Sequence, residues 1–248
     1  MEENREEKYE GDIKIRTPLT ERLENFWYHY KWHTIFAVFA LAVLSICIFQ
    51  TCSKKSYDTY ILYAGSKEIT RTDKNGQIPL YNTLTGTFEA VAPDRDGDGE
   101  ATVSLSTHLA LTREDIENAE KEDGAEVNYG LLQSDRQTLV DRIVYSEYYL
   151  CFLSGAVYDD LKVIDGVEIF TPLAAYTEGK DGVELYDERA IKLSSLEFYS
   201  RPGVCELPED TVVCLRMRSE ITGLFGGKEA EEIYDNAEQV LKNILAYN

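Results

Sequence analysis

Residues 134–161 read SDRQTLVDRIVYSEYYLCFLSGAVYDDL and change their pattern twice over a short distance. The first part predicts a helix, because Ser134 or Asp135 can cap it with a side-chain oxygen. Its apolar residues fall on one helical face: Leu139, Ile143 and Val144. The next residues, EYYLCFLS, are apolar enough for a buried strand, and GAVYDDLKV then favours two helical turns. A helix, a strand and a helix in direct succession indicate an α/β domain.

The same alternation continues on the N-terminal side of this stretch. SYDTYILYAG, residues 56–65, predicts a buried strand that ends at a glycine. Apolar residues at steps of four, four and three then predict a helix: Leu80, Leu84, Phe88 and Val91. Apolar and polar residues alternate from Val103 to Leu109, which is typical of a second strand. Residues 112–127 are acidic and weakly patterned, and they predict a short solvated helix that runs into a loop.

On the C-terminal side the pattern predicts further strands and one long helix. VEIFTPLAAY and RAIKLSSLEFYS favour extended segments, and DTVVCLRMRS, residues 210–219, predicts a clear strand. After Gly226 and Gly227 the apolar spacing predicts a closing helix. Strands therefore alternate with helices from residue 56 to residue 248. We expect a single layered α/β domain with a mixed or mainly parallel sheet.

Residues 33–52, HTIFAVFALAVLSICIFQTC, contain no Asp, Glu, Lys or Arg. A helix needs about 20 apolar residues to cross about 30 Å of hydrocarbon, so this stretch predicts a transmembrane helix. Aromatic rings favour the headgroup layer, and lysine side chains extend toward lipid phosphates. The residues expected at the two membrane interfaces are Trp27, Tyr28, Tyr30, Lys31, Trp32, Lys54 and Lys55.

The position of this span favours an anchor over a cleaved signal. A secretory signal has a short basic start and a shorter apolar core, whereas 32 largely polar residues precede this span. We therefore expect an uncleaved signal anchor. Lysines and arginines are balanced on the two sides and do not fix the orientation. The simplest topology places residues 1–32 in the cytoplasm, residues 33–52 in the cell membrane and residues 53–248 outside.

The segment after the span is strongly acidic. Residues 53–248 carry 19 basic and 37 acidic side chains, which gives a net charge of −18. Such a field repels nucleic acid and anionic lipid headgroups, and it favours divalent cations or basic partners. We therefore expect no nucleic-acid binding. The expected partners are the lipid bilayer and another membrane or surface protein.

The cysteines leave two interpretations open. Cys47 and Cys52 belong to the apolar span, whereas Cys205 and Cys214 flank ELPEDTVV. The latter two are close enough in sequence for a local disulfide in an oxidising compartment. The alternative, which we favour, is that both are small buried hydrophobic residues, as we also expect for Cys151 in YYLCFL.

Two parts of the chain resemble known groups of proteins. ENFWYHYKWHTIF, residues 24–36, followed by the apolar span, resembles the N-terminus of uncharacterised single-pass membrane proteins of Clostridia-type Gram-positive bacteria. Residues 134–161, the later PLAAY and ELPEDTVVCLRM are similar to the second lobe of extracellular solute-binding proteins of ABC importers. The resemblance implies an α/β lobe outside the cell. Solute-binding proteins usually have two lobes, and the 196 residues after the span suffice for little more than one.

DRDGDGE, residues 94–100, places carboxylates at alternate positions and a glycine where an EF-hand loop turns sharply. The calcium ligands that this pattern predicts are Asp94, Asp96, Asp98, the Glu100 carbonyl group and Thr102. The twelfth position is Leu105 instead of a bidentate glutamate, and a strand follows instead of a second helix. The alternatives are a weak structural calcium site and a solvated acidic turn whose aspartates bond their own backbone.

The sequence carries little that predicts catalysis. It contains no GxSxG, HExxH, P-loop or GxGxxG arrangement. His108, on the predicted second strand, has no second ligand at metal spacing. We therefore expect a non-catalytic, membrane-anchored extracytoplasmic domain that binds a ligand or a protein. The alternatives are a cell-surface hydrolase that uses carboxylates and an accessory protein of membrane assembly or export.

Overall fold

The structure is a computed structural model that describes residues 18–52, 57–112, 129–218 and 220–247. The chain divides into two compact units, Met1–Ser56 and Tyr57–Asn248. Of the predicted features, Lys54, Lys55 and nearly all of the acidic segment 112–127 lie outside the described residues.

In the described part of the N-terminal unit, residues 18–52, the chain forms helix α1, from Pro18 to Cys52. Its 35 residues give it a length of about 52 Å. Within it, the segment Glu24–Phe49 contains an 18-residue window with a mean hydropathy of 2.2, and none of this window is buried inside the protein. A core helix of a soluble domain would bury at least one apolar face. Helix α1 is thus long and apolar enough to cross a membrane, and the predicted interface residues on it are exposed: Trp27, Tyr28, Tyr30, Lys31 and Trp32.

The second unit is built on strands whose bounds are β1 Thr59–Gly65, β2 Val103–Leu109, β3 Leu150–Ser154, β4 Val163–Ile164, β5 Val167–Glu168, β6 Leu185–Asp187, β7 Ala190–Lys192 and β8 Thr211–Leu215. A six-stranded sheet has the order β2-β1-β3-β8-β7-β6, and β4 and β5 form a separate hairpin. Strand β1 pairs in parallel with β2 and β3. The remaining pairs, β3 with β8, β8 with β7 and β7 with β6, are antiparallel. The sheet is therefore mixed, which confirms the prediction of an α/β fold.

The helices that the structure describes in this unit are α2 Pro79–Glu89, α3 Tyr129–Tyr145, α4 Gly155–Leu161, α5 Ala174–Thr177 and α6 Glu220–Leu245. Short 3₁₀ turns occupy Leu193–Ser195, Glu197–Ser200 and Val204–Glu206. Helices α2 and α6 contribute to one hydrophobic cluster, and helices α3 and α4 contribute to another.

The two clusters lie on opposite faces of the sheet because successive strand residues point in opposite directions. On β1, Ile61 and Tyr63 belong to the cluster with α2 and α6, whereas Leu62 and Ala64 belong to the cluster with α3 and α4. The central strand β3 is buried along its whole length. Burial on both faces explains why this strand is a continuous apolar run instead of an alternating one.

Several predicted elements differ in extent from those observed. Helix α3 begins at Tyr129, before Ser134, and helix α6 begins at Glu220, so Gly226 and Gly227 lie inside it instead of preceding it. The segment RAIKLSSLEFYS forms β7 and then two 3₁₀ turns. Its later apolar residues still reach the core: Leu193 and Phe198 lie in these turns, and Leu196 lies between them.

Candidate functional site

The acidic turn connects the end of α2 to the start of β2, as predicted from the sequence. Gly97 and Gly99 have φ angles of 75° and 95°, a region in which a side chain is strained. These two glycines let the chain reverse within a few residues. The aspartates between and around them are exposed.

Asp58, which no local sequence pattern indicates, accepts hydrogen bonds from both ends of this turn. Its side chain is buried, and it lies at the start of β1. Its Oδ1 accepts hydrogen bonds from the backbone N–H groups of Arg95, at 2.9 Å, and Asp96, at 3.3 Å. Its Oδ2 accepts from the backbone N–H of Thr102, at 2.7 Å, and from the Thr102 hydroxyl, at 2.8 Å. One carboxylate thus joins both ends of the turn to the first strand.

The exposed aspartates of the turn bond the backbone of the turn itself. Asp94 accepts from the N–H of Gly97 through Oδ1, at 2.7 Å, and from the N–H of Gly99 through Oδ2, at 2.9 Å. Asp96 accepts from the N–H of Asp98, at 3.1 Å, and Asp98 accepts from the N–H of Glu100, at 2.9 Å. The turn is therefore organised by its own carboxylates, as expected for the solvated acidic turn.

The acidic side chains that converge in the structure differ from the calcium ligands predicted from the sequence. Among the described residues, three acidic side chains converge, with one oxygen each within 4.8 Å of the others: Asp58, Asp94 and Asp96. Asp98 is not part of this group, and the Thr102 hydroxyl donates to Asp58. Asp58 already accepts four hydrogen bonds, which occupy its lone pairs. Asp94 and Asp96 are left as the carboxylates with acceptor capacity for an ion.

Two opposing effects act on the Asp58 carboxyl group. Burial raises its pKa, but the hydrogen bonds from Thr102, Arg95 and Asp96 outweigh burial and lower the pKa below its usual value. Donors that are held by the fold stabilise the charged form of a carboxylate. Asp58 is therefore a carboxylate at neutral pH.

The surroundings of Asp58 tie the turn to helix α6 as well. The Asn236 side-chain amide donates to the Asp58 carbonyl oxygen at 2.9 Å. The Arg95 guanidinium donates to the Tyr57 carbonyl at 3.3 Å and lies 3.9 Å from Glu232. The start of β1, the turn and α6 thus form one hydrogen-bonded assembly.

Only a weak indication that Asp58 organises the turn is present in the sequence. Asp58 stands between Tyr57 and a buried apolar strand, where a charged residue is unusual unless it is paired. Its partners lie 37 to 44 residues further along the chain. No local pattern connects such distant positions.

A second cluster of polar side chains lies near α4. The Tyr158 hydroxyl donates to Asp187 at 2.7 Å, and the Tyr186 hydroxyl donates to Asp159 at 2.7 Å. Lys162 lies 2.7 Å from Asp159 and 3.6 Å from Asp187. Hydrogen bonds from Lys162 and Tyr186 lower the pKa of Asp159. A general acid at neutral pH needs a raised carboxyl pKa, so this arrangement favours a structural network over a catalytic pair.

His108 lies on β2, near its C-terminal end, away from the acidic turn. Its Nε2 is 3.2 Å from the Ser106 hydroxyl. Burial, assisted by the nearby Arg142, lowers the pKa of His108. The ring is therefore neutral at pH 7, and it belongs to no group of three acidic, histidine or cysteine ligands in the part of the chain that the structure describes.

The two cysteines that flank ELPEDTVV differ in their exposure. Cys205 is exposed, whereas Cys151 and Cys214 are buried. The interpretation as small buried residues is therefore correct for Cys151 and Cys214 and wrong for Cys205. Cys205 lies in a surface 3₁₀ turn, and Cys214 points from β8 into the core.

A cavity of about 540 Å³ lies beside the C-terminal end of α6. Residues 179–183, 195–197 and 244–247 line it. At its rim the Lys180 ammonium group donates to the Leu245 carbonyl at 3.0 Å. The volume is in the range of small-molecule sites, which is about 300 to 1,000 Å³.

Comparison with known proteins adds no relative: no protein-family model, curated protein or solved structure matches the chain.

Proposed function

We propose that this is a single-pass membrane protein whose residues 53–248 form one layered α/β domain outside the cytoplasm and bind a ligand or a partner protein without catalysis. The observation that carries the proposal is the exposure of the apolar helix. An 18-residue window within Glu24–Phe49 has a mean hydropathy of 2.2, and none of it is buried in the protein. In water such a surface is unfavourable by about 25 cal/mol for each Å², and a bilayer removes that cost.

The charge of the domain supports the choice of partner. A net charge of −18 on residues 53–248 attracts cationic surfaces and repels polyanions. The partner class that fits is a basic segment of another membrane or surface protein. The cavity beside α6 is a candidate site for a small ligand, in keeping with the resemblance to solute-binding proteins.

Arginine at the centre of the apolar span 33–52 is expected to release the protein from the membrane. In the double variant Leu41→Arg with Leu44→Arg, each arginine costs about 3 kcal/mol at the centre of a spanning helix. We expect the wild-type chain to stay in the membrane fraction after an alkaline wash, and the arginine variant to appear in the soluble or aggregated fraction. Leu41→Ile with Leu44→Ile is the matched control and should behave as wild type. Retention of the arginine variant would contradict a spanning helix.

The orientation is tested separately by protease treatment of intact cells. Digestion of the domain before lysis supports the placement outside. Protection of the domain in intact cells, followed by digestion after lysis, would place it in the cytoplasm.

The proposal includes a weak structural calcium site at the acidic turn. In this proposal calcium contacts Asp94 and Asp96, whose carboxylates keep acceptor capacity, while Asp58 continues to hold the turn. Sites of this class have dissociation constants of about 10⁻³ M. At about 5 mM calcium the gain is about 1 kcal/mol, which raises the melting temperature by about 2 to 4 °C.

This shift is measured by thermal unfolding of the full chain in detergent with calcium or a chelator. Asp96→Asn should remove the shift, and Asp98→Asn, in the same turn but outside the converging group, should keep it. An absent shift in the wild-type protein, or an equal shift in both variants, would show that calcium does not bind at this turn.

A further inference from the structure

Two buried cysteines face each other across the antiparallel strands β3 and β8. Cys151 and Cys214 are register partners. Both side chains are 0 % exposed, and both belong to the hydrophobic cluster that β3 and β8 share with α3 and α4. They are 63 residues apart in sequence, so only the pairing of β3 with β8 brings them together.

The backbone hydrogen bonds between β3 and β8 show whether Cys151 and Cys214 form a hydrogen-bonded or a non-hydrogen-bonded pair. Arg216 N–H donates to the Tyr149 carbonyl at 2.8 Å, and Gly155 N–H donates to the Asp210 carbonyl at 3.0 Å. Hydrogen-bonded pairs recur at every second residue along an antiparallel ladder, so Cys151 and Cys214 form such a pair.

The Cα spacing of such a pair permits a cross-link, but its Cβ spacing requires the two side chains to move closer. Cα atoms of a hydrogen-bonded pair are about 5.5 Å apart, inside the range of about 4.4 to 6.8 Å that disulfides span. The Cβ atoms of such a pair are at the wider end of about 4.5 to 5.5 Å, whereas a disulfide needs about 3.5 to 4.5 Å, and both cysteines are free thiols in this structure. The two side chains also point to the same face of the sheet, and the Cys214 Sγ lies 3.7 Å from the Cys151 carbonyl oxygen.

We propose that Cys151 and Cys214 are the disulfide-forming pair of this protein, joined when the domain folds in an oxidising compartment. The occurrence of the bond in cells rests on the proposed placement of the domain outside the membrane, whereas the ability to form it rests on the strand register alone. The proposal differs from the pairing of Cys205 with Cys214, which is the less favoured of the two interpretations of the sequence.

The bond forms by two exchange steps with a disulfide oxidant, either a thiol oxidoreductase or oxidised glutathione. One cysteine thiolate attacks the oxidant disulfide and releases one oxidant thiol. The second cysteine thiolate then attacks the mixed disulfide, which forms the Cys151–Cys214 bond and releases the second oxidant thiol. Two protons and two electrons leave the cysteine pair, and the oxidant disulfide is reduced to two thiol groups.

We expect the exchange to take place during folding, as β3 and β8 come into register and before burial shields the thiols. Burial, together with the adjacent Cys151, raises the pKa of the Cys214 thiol. In the folded domain Cys214 therefore holds little thiolate, the form that reacts. Once formed, the bond is equally shielded from reductants.

The test is refolding of the reduced full-length protein, in detergent, with reduced and oxidised glutathione. Free thiols are then alkylated in denaturant, and the peptides are identified by mass spectrometry. We expect a linked peptide pair that contains Cys151 and Cys214, retained in Cys205→Ala and lost in Cys214→Ala. Because the bond closes a long loop, reduction should lower the melting temperature by about 5 to 10 °C.

Three outcomes overturn parts of the proposal in distinguishable ways. Alkylation of both buried cysteines after oxidative refolding, or a dominant link between Cys205 and Cys214, overturns the pairing. A bond that forms but lowers the melting temperature overturns its fit to the native sheet. A pair that links in vitro, but stays as thiols in cells trapped with N-ethylmaleimide, supports the pairing and overturns the placement outside.

Discussion

Replacing Asp58 with alanine is expected to lower the free energy of unfolding by about 3 to 5 kcal/mol. The variant loses a buried carboxylate that accepts four hydrogen bonds, and it leaves the donors of Arg95, Asp96 and Thr102 without that acceptor. A hydrogen bond to a charged group contributes about 1.5 to 3 kcal/mol, and these four act as one unit, so their contributions do not add in full. Urea unfolding of the full chain in detergent measures the change.

Two substitutions separate the role of Asp58 from a general effect of charge. Asp58→Asn keeps the shape but turns an amide NH₂ toward one set of donors, so it should be destabilising by about half as much as alanine. Asp98→Asn removes the same charge from the exposed part of the turn and should change stability by less than about 0.5 kcal/mol. Equal effects at the two positions would contradict the role assigned to Asp58.

The contribution of Asp58 should also depend on pH in one direction. Hydrogen bonds lower its pKa in the folded protein, so its stabilisation is fully present above the unfolded pKa of about 4 and is lost as pH falls through the folded pKa. The difference in unfolding free energy between wild type and Asp58→Ala should therefore be constant from about pH 5 to pH 7. It should shrink below about pH 4.

Replacing Arg216 with methionine is expected to lower the free energy of unfolding by about 3 to 5 kcal/mol. The guanidinium group is buried and donates to the Ile143, Val144 and Ser146 carbonyl oxygens, at 2.6, 2.8 and 2.6 Å. These carbonyls lie at the C-terminal end of α3, where backbone acceptors lack helical partners. Methionine fills much of the volume but leaves these acceptors without a donor.

The planar fork of arginine is needed to reach several carbonyl groups at once. Arg216→Lys should therefore recover only part of the loss, about 1 to 2 kcal/mol. The matched control is Arg218→Met, because Arg218 is partly exposed and pairs with Glu231 and Asp235 at the surface. Surface pairs contribute about 0 to 1 kcal/mol, so a loss at Arg218 as large as that at Arg216 would contradict the buried capping role.

Arg216 also shows why its role could not be inferred from the sequence. In DTVVCLRMRS, Arg216 and Arg218 look alike, as basic residues at the end of a strand. Their difference arises because the edge-to-edge pairing of β3 and β8 places Arg216 over the Tyr149 ring, 4.3 Å from its centre. Arg218 instead lies over Tyr234 on α6, 4.9 Å from the ring centre.

Some features of the acidic turn follow from the local sequence, and others depend on the tertiary structure. Its position between a helix and a strand, its two glycines and its self-bonding aspartates follow from residues within a few positions of each other. The role of the Asp58 carboxylate does not follow from neighbouring residues, because Asp58 contacts Arg95 and Thr102 only after β1 and β2 pair in parallel. Of the predicted ligands, Asp94 and Asp96 converge with Asp58, and Asp98 does not.

The sequence by itself determined the apolar helix of membrane length, the alternation of strands with helices and most strand positions. These features depend on hydropathy and on periods of two and 3.6 residues, which are local properties of the chain. The tertiary structure alone decided the sheet order, the place of Asp58, the partner of Cys214 and the depth of Arg216. Each of these depends on which distant strands pair and in what register, and a one-residue shift in register would turn every side chain to the opposite face.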